Sequence, residues 1–388
     1  MKLGIATFFL SCLAAASCPA ADQTERAIVT LARGGKPAEG ADRRFVDAVV
    51  RIDHAGGQFE FDAAGRLTGV DLASDRVSVS DADIPSLAAL PNLRRLKLSG
   101  GGITIVGIRQ ISALARLTEL SLLDVPVDNA GLEQLTRLSD LSTLAIRRSP
   151  LLDDAALKHL ARLPKLVNLG LLEIGVTDRG VDELKNLPRL RSLDLRGCSR
   201  IGNAGLERLR AMKDLEALRV SGYQITDASL GVVKQLGKLT RLTVEEAAIT
   251  DAGLAQLAGL PLEEINLGRC YSITDAGFVC FKDFASLRQL AIRDIPLGGD
   301  GLKYLAGSGK LTSLKLVETG INDAAMEHLR RLKKLVRLDL RQTQVTDASL
   351  AVIGGLKDLE YLDISQTAIS EAGAKRLAET LPKCKIVR

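Results

Sequence analysis

The sequence predicts an α/β solenoid: a right-handed, curved coil of strand–turn–helix units, with a parallel β-sheet on the concave face and short helices on the convex face. Three observations predict it. The frame L-x-x-L-x-L recurs thirteen times, 23 to 26 residues apart, from Leu67, Leu93, Leu117, Leu141, Leu166, Leu190, Leu215, Leu239, Leu262, Leu287, Leu311, Leu335 and Leu359. Within a copy the apolar period changes from two to about three and a half. In 335–356, for example, Leu338 and Leu340 alternate before Leu350, Ile353 and Leu356 recur at helical spacing. Third, the hexad ITDAGL at Ile249 returns as VTDRGV at Val176, ITDASL at Ile225, ITDAGF at Ile273, INDAAM at Ile321 and VTDASL at Val345. A single copy cannot bury its own apolar face, so the copies must stack.

Composition agrees with one repeated architecture. Among 388 residues, hydrophobic side chains make up 46% but aromatics only 3%, and Trp is absent, so Leu, Ile, Val and Ala must fill the core. A net charge of +5, from 52 basic and 47 acidic residues, gives no basic field of the kind nucleic acid requires.

Taken in order, residues 1–20 read as an export signal: Lys2, an apolar run from Leu3 to Ala16, then small residues. The run is too short to span a membrane. Cleavage near Ala20 would discard Cys18, whereas Ala15-Ala16-Ser17 before Cys18 form a loose lipoprotein box that makes Cys18 the candidate for lipidation. Residues 22–66 are expected to cap the solenoid. Phe45, Val46, Val49 and Val50 predict an amphipathic helix, and 58–61 and 67–72 flank a turn at Asp62–Gly65, predicting a hairpin whose second strand starts the sheet. Residues 67–382 hold the thirteen repeats, and 383–388 offer a final capping strand.

Within the hexad, Thr250 stands where its hydroxyl can cap the following helix, and Asp251 favours the positive end of the helix dipole. Ala252 and Gly253 allow the next coil to pack closely, and Pro91, Pro164, Pro188 and Pro261 close their helices. The alternative, a repeated calcium loop, needs several oxygen ligands in one loop, and each copy supplies one or two.

On these residues the chain resembles leucine-rich-repeat proteins, and its copies are similar to the cysteine-containing subtype of F-box partners and to repeat proteins exported by bacteria. The resemblance implies that the eighth residue after the first Leu bonds the neighbouring loop. That place holds Cys198, Cys270, Thr319, Thr343 and Thr367, but Val125, Ile174, Ala247 and Ile295 elsewhere, where the ladder should break. Cys198 and Cys270, three coils or roughly 15 Å apart at the strand spacing, are expected to be buried thiols and not a disulfide. No F-box-like segment precedes the repeats, so the adaptor role of those relatives is not carried over.

No catalytic set converges on any coil, and no cofactor or metal is expected. His54, His159 and His328 fall in different parts of the frame, and the latter two predict exposed helix surface. Gly307-Ser308-Gly309-Lys310 reads as a tight turn because Tyr304 replaces the glycine a phosphate loop needs. The third, fifth and seventh places of each frame face away from the core, and there Arg293, Lys315, Arg337, Asp339, Arg341, Tyr361 and Asp363 form the candidate partner-binding patch. The expectation is a monomeric, non-catalytic scaffold exported to the bacterial cell envelope, binding a protein or peptide, with no transmembrane segment. Inhibition of a hydrolase and a structural spacer without a specific partner remain as alternatives.

Overall fold

The computed structural model describes Glu25, Val29, residues 42–74 and residues 79–388. Residues 1–20, including Cys18, lie outside the described residues. One sheet of 15 strands runs through the molecule in chain order. It opens with β1 (Gln58–Phe61) antiparallel to β2 (Leu67–Leu72), and every later pairing is parallel. There follow β3 (Arg95–Ser99), β4 (Glu119–Leu123), β5 (Thr143–Arg147), β6 (Asn168–Leu172), β7 (Ser192–Leu195), β8 (Ala217–Ser221) and β9 (Arg241–Glu245). The last six are β10 (Glu264–Gly268), β11 (Gln289–Arg293), β12 (Ser313–Val317), β13 (Arg337–Asp339), β14 (Tyr361–Asp363) and β15 (Lys385–Val387).

Register follows from the repeat. Equivalent residues pair, so Leu290, Leu314, Leu338 and Leu362 form one column, each at most 1% exposed. Each such leucine contributes about 1.5–3 kcal/mol by leaving water, and together the columns make one continuous core.

Helix α1 (Arg43–His54) lies before the hairpin and buries Phe45, Ala48, Val49 and Ile52. Asp42 caps it by accepting from the Arg44 N–H at 2.9 Å. Further upstream, Glu25 accepts from the Leu67 N–H at 2.6 Å and from Asn92 Nδ2 at 3.2 Å, tying that part of the chain to the start of the sheet.

The helical turns of the coils are short, for example Asp251–Gln256, and two are wholly 3₁₀, Asp275–Asp283 and Asp300–Gly307. Phe278, Phe281 and Phe284 explain the first of these. Three residues per turn aligns side chains three apart, and the Phe278 and Phe281 rings stand edge to face at 4.9 Å, with Phe284 next at 5.6 Å.

Where strands β3 to β14 end, the seventh residue after the first Leu adopts a left-handed conformation. Gly100, Gly197 and Gly222 do so, and so do Asp124, Arg148, Glu173, Glu246, Arg269, Asp294, Glu318, Gln342 and Gln366, with φ between 52° and 57°. Their N–H groups donate to the next coil: Asp124 to Arg147 O, Glu173 to Arg196 O, Glu246 to Gly268 O and Asp294 to Val317 O. At Val125, Ile174, Ala247 and Ile295 no side chain bonds the neighbouring loop, as expected, but the backbone one residue earlier keeps those coils joined.

The polar residues at the eighth place behave in two ways. Cys198 and Cys270 reach back to the preceding coil, to Leu171 O at 3.1 Å and Val244 O at 3.6 Å, Cys270 being shared with Gly268 O of its own coil at 3.4 Å, and Ser149, which the sequence reasoning passed over, reaches back to Val125 O at 2.6 Å. Thr319, Thr343 and Thr367 instead bond carbonyls of their own coil, Leu316 O, Leu340 O and Ile364 O. The division follows coil length. The three coils that reach back run 25 residues, Leu141 to Leu166, Leu190 to Leu215 and Leu262 to Leu287, and those with threonine run 24 where the next Leu marks them.

Candidate functional site

The hexad can be judged from its contacts. Thr250 caps its own helix, accepting from the Ala252 N–H at 3.2 Å, and also donates through Oγ1 to Asp227 of the preceding coil at 2.6 Å. Asp227 accepts the Thr250 N–H as well, at 2.7 Å. The contact recurs from Asp251 to Thr274, Asp323 to Thr346 and Asp347 to Ser370. Each aspartate is thus more than a dipole partner: its two oxygens staple one coil to the next. At Asp347 the Ser370 hydroxyl is the main cause that lowers the carboxyl below its ordinary value. Both oxygens of these carboxylates hold donors of the next coil, which is the structural use of the hexad.

The sheet face holds the candidate patch, and the structure divides it. Arg341 grips Asp339 through Nε at 3.0 Å and Nη2 at 2.8 Å and lies 3.5 Å from Asp363. Its hydrogen bond to Asp339 is the chief cause that raises the guanidinium pKa. Asp339 and Asp363 are only 6% and 5% exposed, so neither is open to a partner. Tyr361 donates to Asp363 at 3.2 Å, and burial raises its hydroxyl pKa first, the Asp363 charge second. The Arg337 guanidinium lies over the Tyr361 ring, 4.5 Å from its centroid.

These five residues form one network on β13 and β14. Arg293 turns away toward Glu245 at 3.6 Å, and exposed Lys315 has no ion-pair partner among the described residues. The same D-L-R pattern gives a second network on β7, where Arg196 holds Asp194 at 2.8 Å with Arg219 at 3.8 Å.

Two features escaped the sequence reasoning. A shallow depression of about 400 Å³ lies where the strands meet the left-handed column, lined by Arg147, Glu173, Arg196, Ser221, Glu245 and Arg269 among others. Beside it, on the loop edge, stand Tyr223 and Tyr271, 67% and 52% exposed. For Tyr271 a signal existed, the extra residue of its coil, which sends a side chain outward.

His159 and His328 are half-buried rather than exposed, His159 lying 3.8 Å from Glu133, whose coil packs against its own. Gly307–Lys310 is a tight turn, with the Ser308 N–H donating to Leu305 O and the Leu311 N–H to Ser308 O. Among the described residues no helix is long and apolar enough to cross a membrane.

Strand, left-handed residue, cap and helical turn, stacked along one sheet, define a solenoid scaffold. A family model described as Leucine Rich repeat matches residues 187–209, and the stacked coils of the described residues have the leucine-rich-repeat fold, whose proteins are generally non-catalytic interaction scaffolds. Among solved structures it is similar to an internalin, inlF, from Listeria monocytogenes, at 21% identity and TM-score 0.51 over 95% of this chain and 94% of that one. It is also similar to a chain of the Rad7 and Elc1 complex of yeast, at 17% identity and TM-score 0.52 over 95% of this chain and 92% of the other. At these identities the likeness is one of fold. No curated protein matches the chain.

Proposed function

We propose that this protein is an exported, monomeric, non-catalytic scaffold that binds a protein or peptide on its sheet face, anchored at the end where β12 to β14 lie. One observation carries the choice of site: Arg337 held over Tyr361, with exposed Lys315 on the next strand free of an ion pair among the described residues. Arginine and tyrosine are the side chains on which protein interfaces most often anchor, and a pre-positioned pair loses little freedom on binding. Arg341, Asp339 and Asp363 act as the support that fixes the ring and the strand ends. Export rests on the apolar N-terminal run and envelope retention on Cys18.

Crosslinking of the tagged protein in its native host, with mass spectrometry of partners and of linked residues, tests the site. Links concentrated at Lys315 are the expected result, and capture should weaken about ten-fold or more in the Arg337→Ala, Lys315→Ala double variant. Capture that is unchanged in that variant rejects the patch. Mass spectrometry of the mature N-terminus tests localisation: an unmodified start at Ala21 excludes lipid on Cys18.

A further inference from the structure

Two ties join the helical sides of neighbouring coils, and both fail in the coil that begins at Leu287. The first is the staple. The residue at the aspartate place of the hexad accepts the N–H of the cap position in the next coil, without a gap from Asn129 to Asp275 and again at Asp323 and Asp347. Gly299 stands in that place with a φ of 104° and has no carboxylate to offer. Asn322, which would have received it, caps its own helix by accepting the Ala325 N–H at 3.1 Å. Ile105 leaves a similar gap earlier in the chain, but there the second tie is kept, by Leu114 packed against the core.

The second tie is an apolar column three residues before the first Leu of the frame, where Phe284, Leu332 and Leu356 are at most 4% exposed. Ser308 takes that place between Phe284 and Leu332. Its backbone matches theirs: the Leu311 N–H donates to Ser308 O at 3.0 Å, as the Leu335 N–H does to Leu332 O at 3.1 Å. Ser308 is 7% exposed, and its buried hydroxyl oxygen has no hydrogen-bond partner among the described residues. A leucine there would add to stability, whereas an unsatisfied hydroxyl subtracts from it. The row Phe278, Phe281 and Phe284 thus becomes Leu302, Leu305 and Ser308, again on a turn that is wholly 3₁₀, whose hydrogen bonds are poorer than those of an α-helix.

The strands do not share the defect. β11 and β12 pair in register from Gln289–Ser313 to Arg293–Val317, and the Asp294 N–H donates to Val317 O at 3.0 Å. We infer that residues 300–310 form a hinge: this helical turn opens locally while the strands stay paired. The sheet fixes the strand spacing, so the motion left to the coils after it is a change of tilt. Those coils carry Lys315, Arg337 and Tyr361, and their tilt sets the curvature of the sheet face between β11 and β12. The hinge does not rest on that patch being used, and its test needs no partner.

Hydrogen exchange of the full chain, with each amide rate compared with its unstructured value, reads the opening directly. Residues 302–310 are expected to be protected about ten-fold or more weakly than 278–286 and 326–334, while 289–293 and 313–317 stay as protected as the other strands. Ser308→Leu should restore about ten-fold protection to 302–310 alone. A side chain on Gly307 or Gly309 meets nothing within 4 Å, so alanine at both should slow exchange there by about two- to five-fold each, and this pair serves if the leucine variant does not fold. Equal protection of the three turns, or strands that exchange together with 302–310, overturns the inference. Faster exchange in Ser308→Leu also overturns it, by showing that the Phe284 ring already fills the place. Tilt is read from spin labels at exposed Lys282 and Arg330, across the turn, against labels at exposed Gln235 and Lys282 upstream, with Cys384 replaced by serine. The first pair should give the broader distance distribution, and equal widths would reject the hinge even where the turn opens.

Discussion

Gly253 faces the Asp227 carboxylate of the coil before it: a Cβ at that position would stand 2.1 Å from Oδ1. The same holds for Gly277 against Asp251 at 2.3 Å and Gly373 against Asp347 at 2.3 Å. Where serine replaces the glycine, as at Ser349, its hydroxyl joins the staple and donates to Asp323 at 2.5 Å. Alanine occurs at Ala325, and the residue before it in the stack is Gly299, which has no carboxylate to displace. Glycine and aspartate in the hexad are therefore one device shared between neighbouring coils. Gly253→Ala is expected to destabilise the protein by about 1–3 kcal/mol, through the forced shift of Asp227. In an Asp227→Gly background, which copies the Gly299–Ala325 pairing, the same change should cost much less. A double-mutant cycle in urea measures the difference, and a coupling of zero would refute the shared device.

At the scale of the coil, length decides where the eighth residue sends its bond. Cys270 in a 25-residue coil reaches Val244 O of its neighbour at 3.6 Å while also lying 3.4 Å from Gly268 O of its own coil, where Ser149 in an equivalent coil makes the shorter bond of 2.6 Å. Cys270→Ser should consequently keep the fold and most of its stability, because a hydroxyl can serve the same buried carbonyl. Cys270→Val fits the space but withdraws the donor, and is expected to cost about 1–2 kcal/mol more than serine. Thermal unfolding of the two variants decides it, and equal midpoints would show that the thiol acts only as a small apolar filler. The left-handed residue just before, Arg269, is a second such element-level device. Its backbone N–H donates to Arg293 O at 3.0 Å, so the coils stay joined whatever side chain stands at the eighth place.

Over the whole molecule, three thiols are sealed in one continuous core, and that has a consequence for pH. Burial is the first cause that pushes Cys198 and Cys270 up to about 11 and Cys280 up to about 12, from an ordinary value of 9.0. A group whose pKa is raised by folding contributes stability that is intact below its unfolded value and lost as pH climbs toward the folded one. Stability should hold to about pH 9 and fall between 9 and 11, and replacing all three cysteines by serine should flatten that fall. Urea midpoints across this range provide the check, and an identical slope in the variant would exclude the thiols as the cause. How far such behaviour was legible beforehand differs by feature. The strand register, the stacking order and the capping threonines follow from the sequence alone, because a period repeated thirteen times leaves one way to bury the leucines at Leu290, Leu314, Leu338 and Leu362 together. The sheet-face positions follow too, since side chains alternate along a strand. Only the tertiary structure decided that Asp227 serves the next coil, that Thr343 bonds within its own, that Arg341 is locked between Asp339 and Asp363, and that Tyr223 and Tyr271 stand in water. Each of these depends on a neighbour some two dozen residues away in the chain but one strand spacing away in space, and on loop lengths that differ by a single residue. Periodicity specifies which residues are brought level with one another, while distance and direction between their side chains are set by packing.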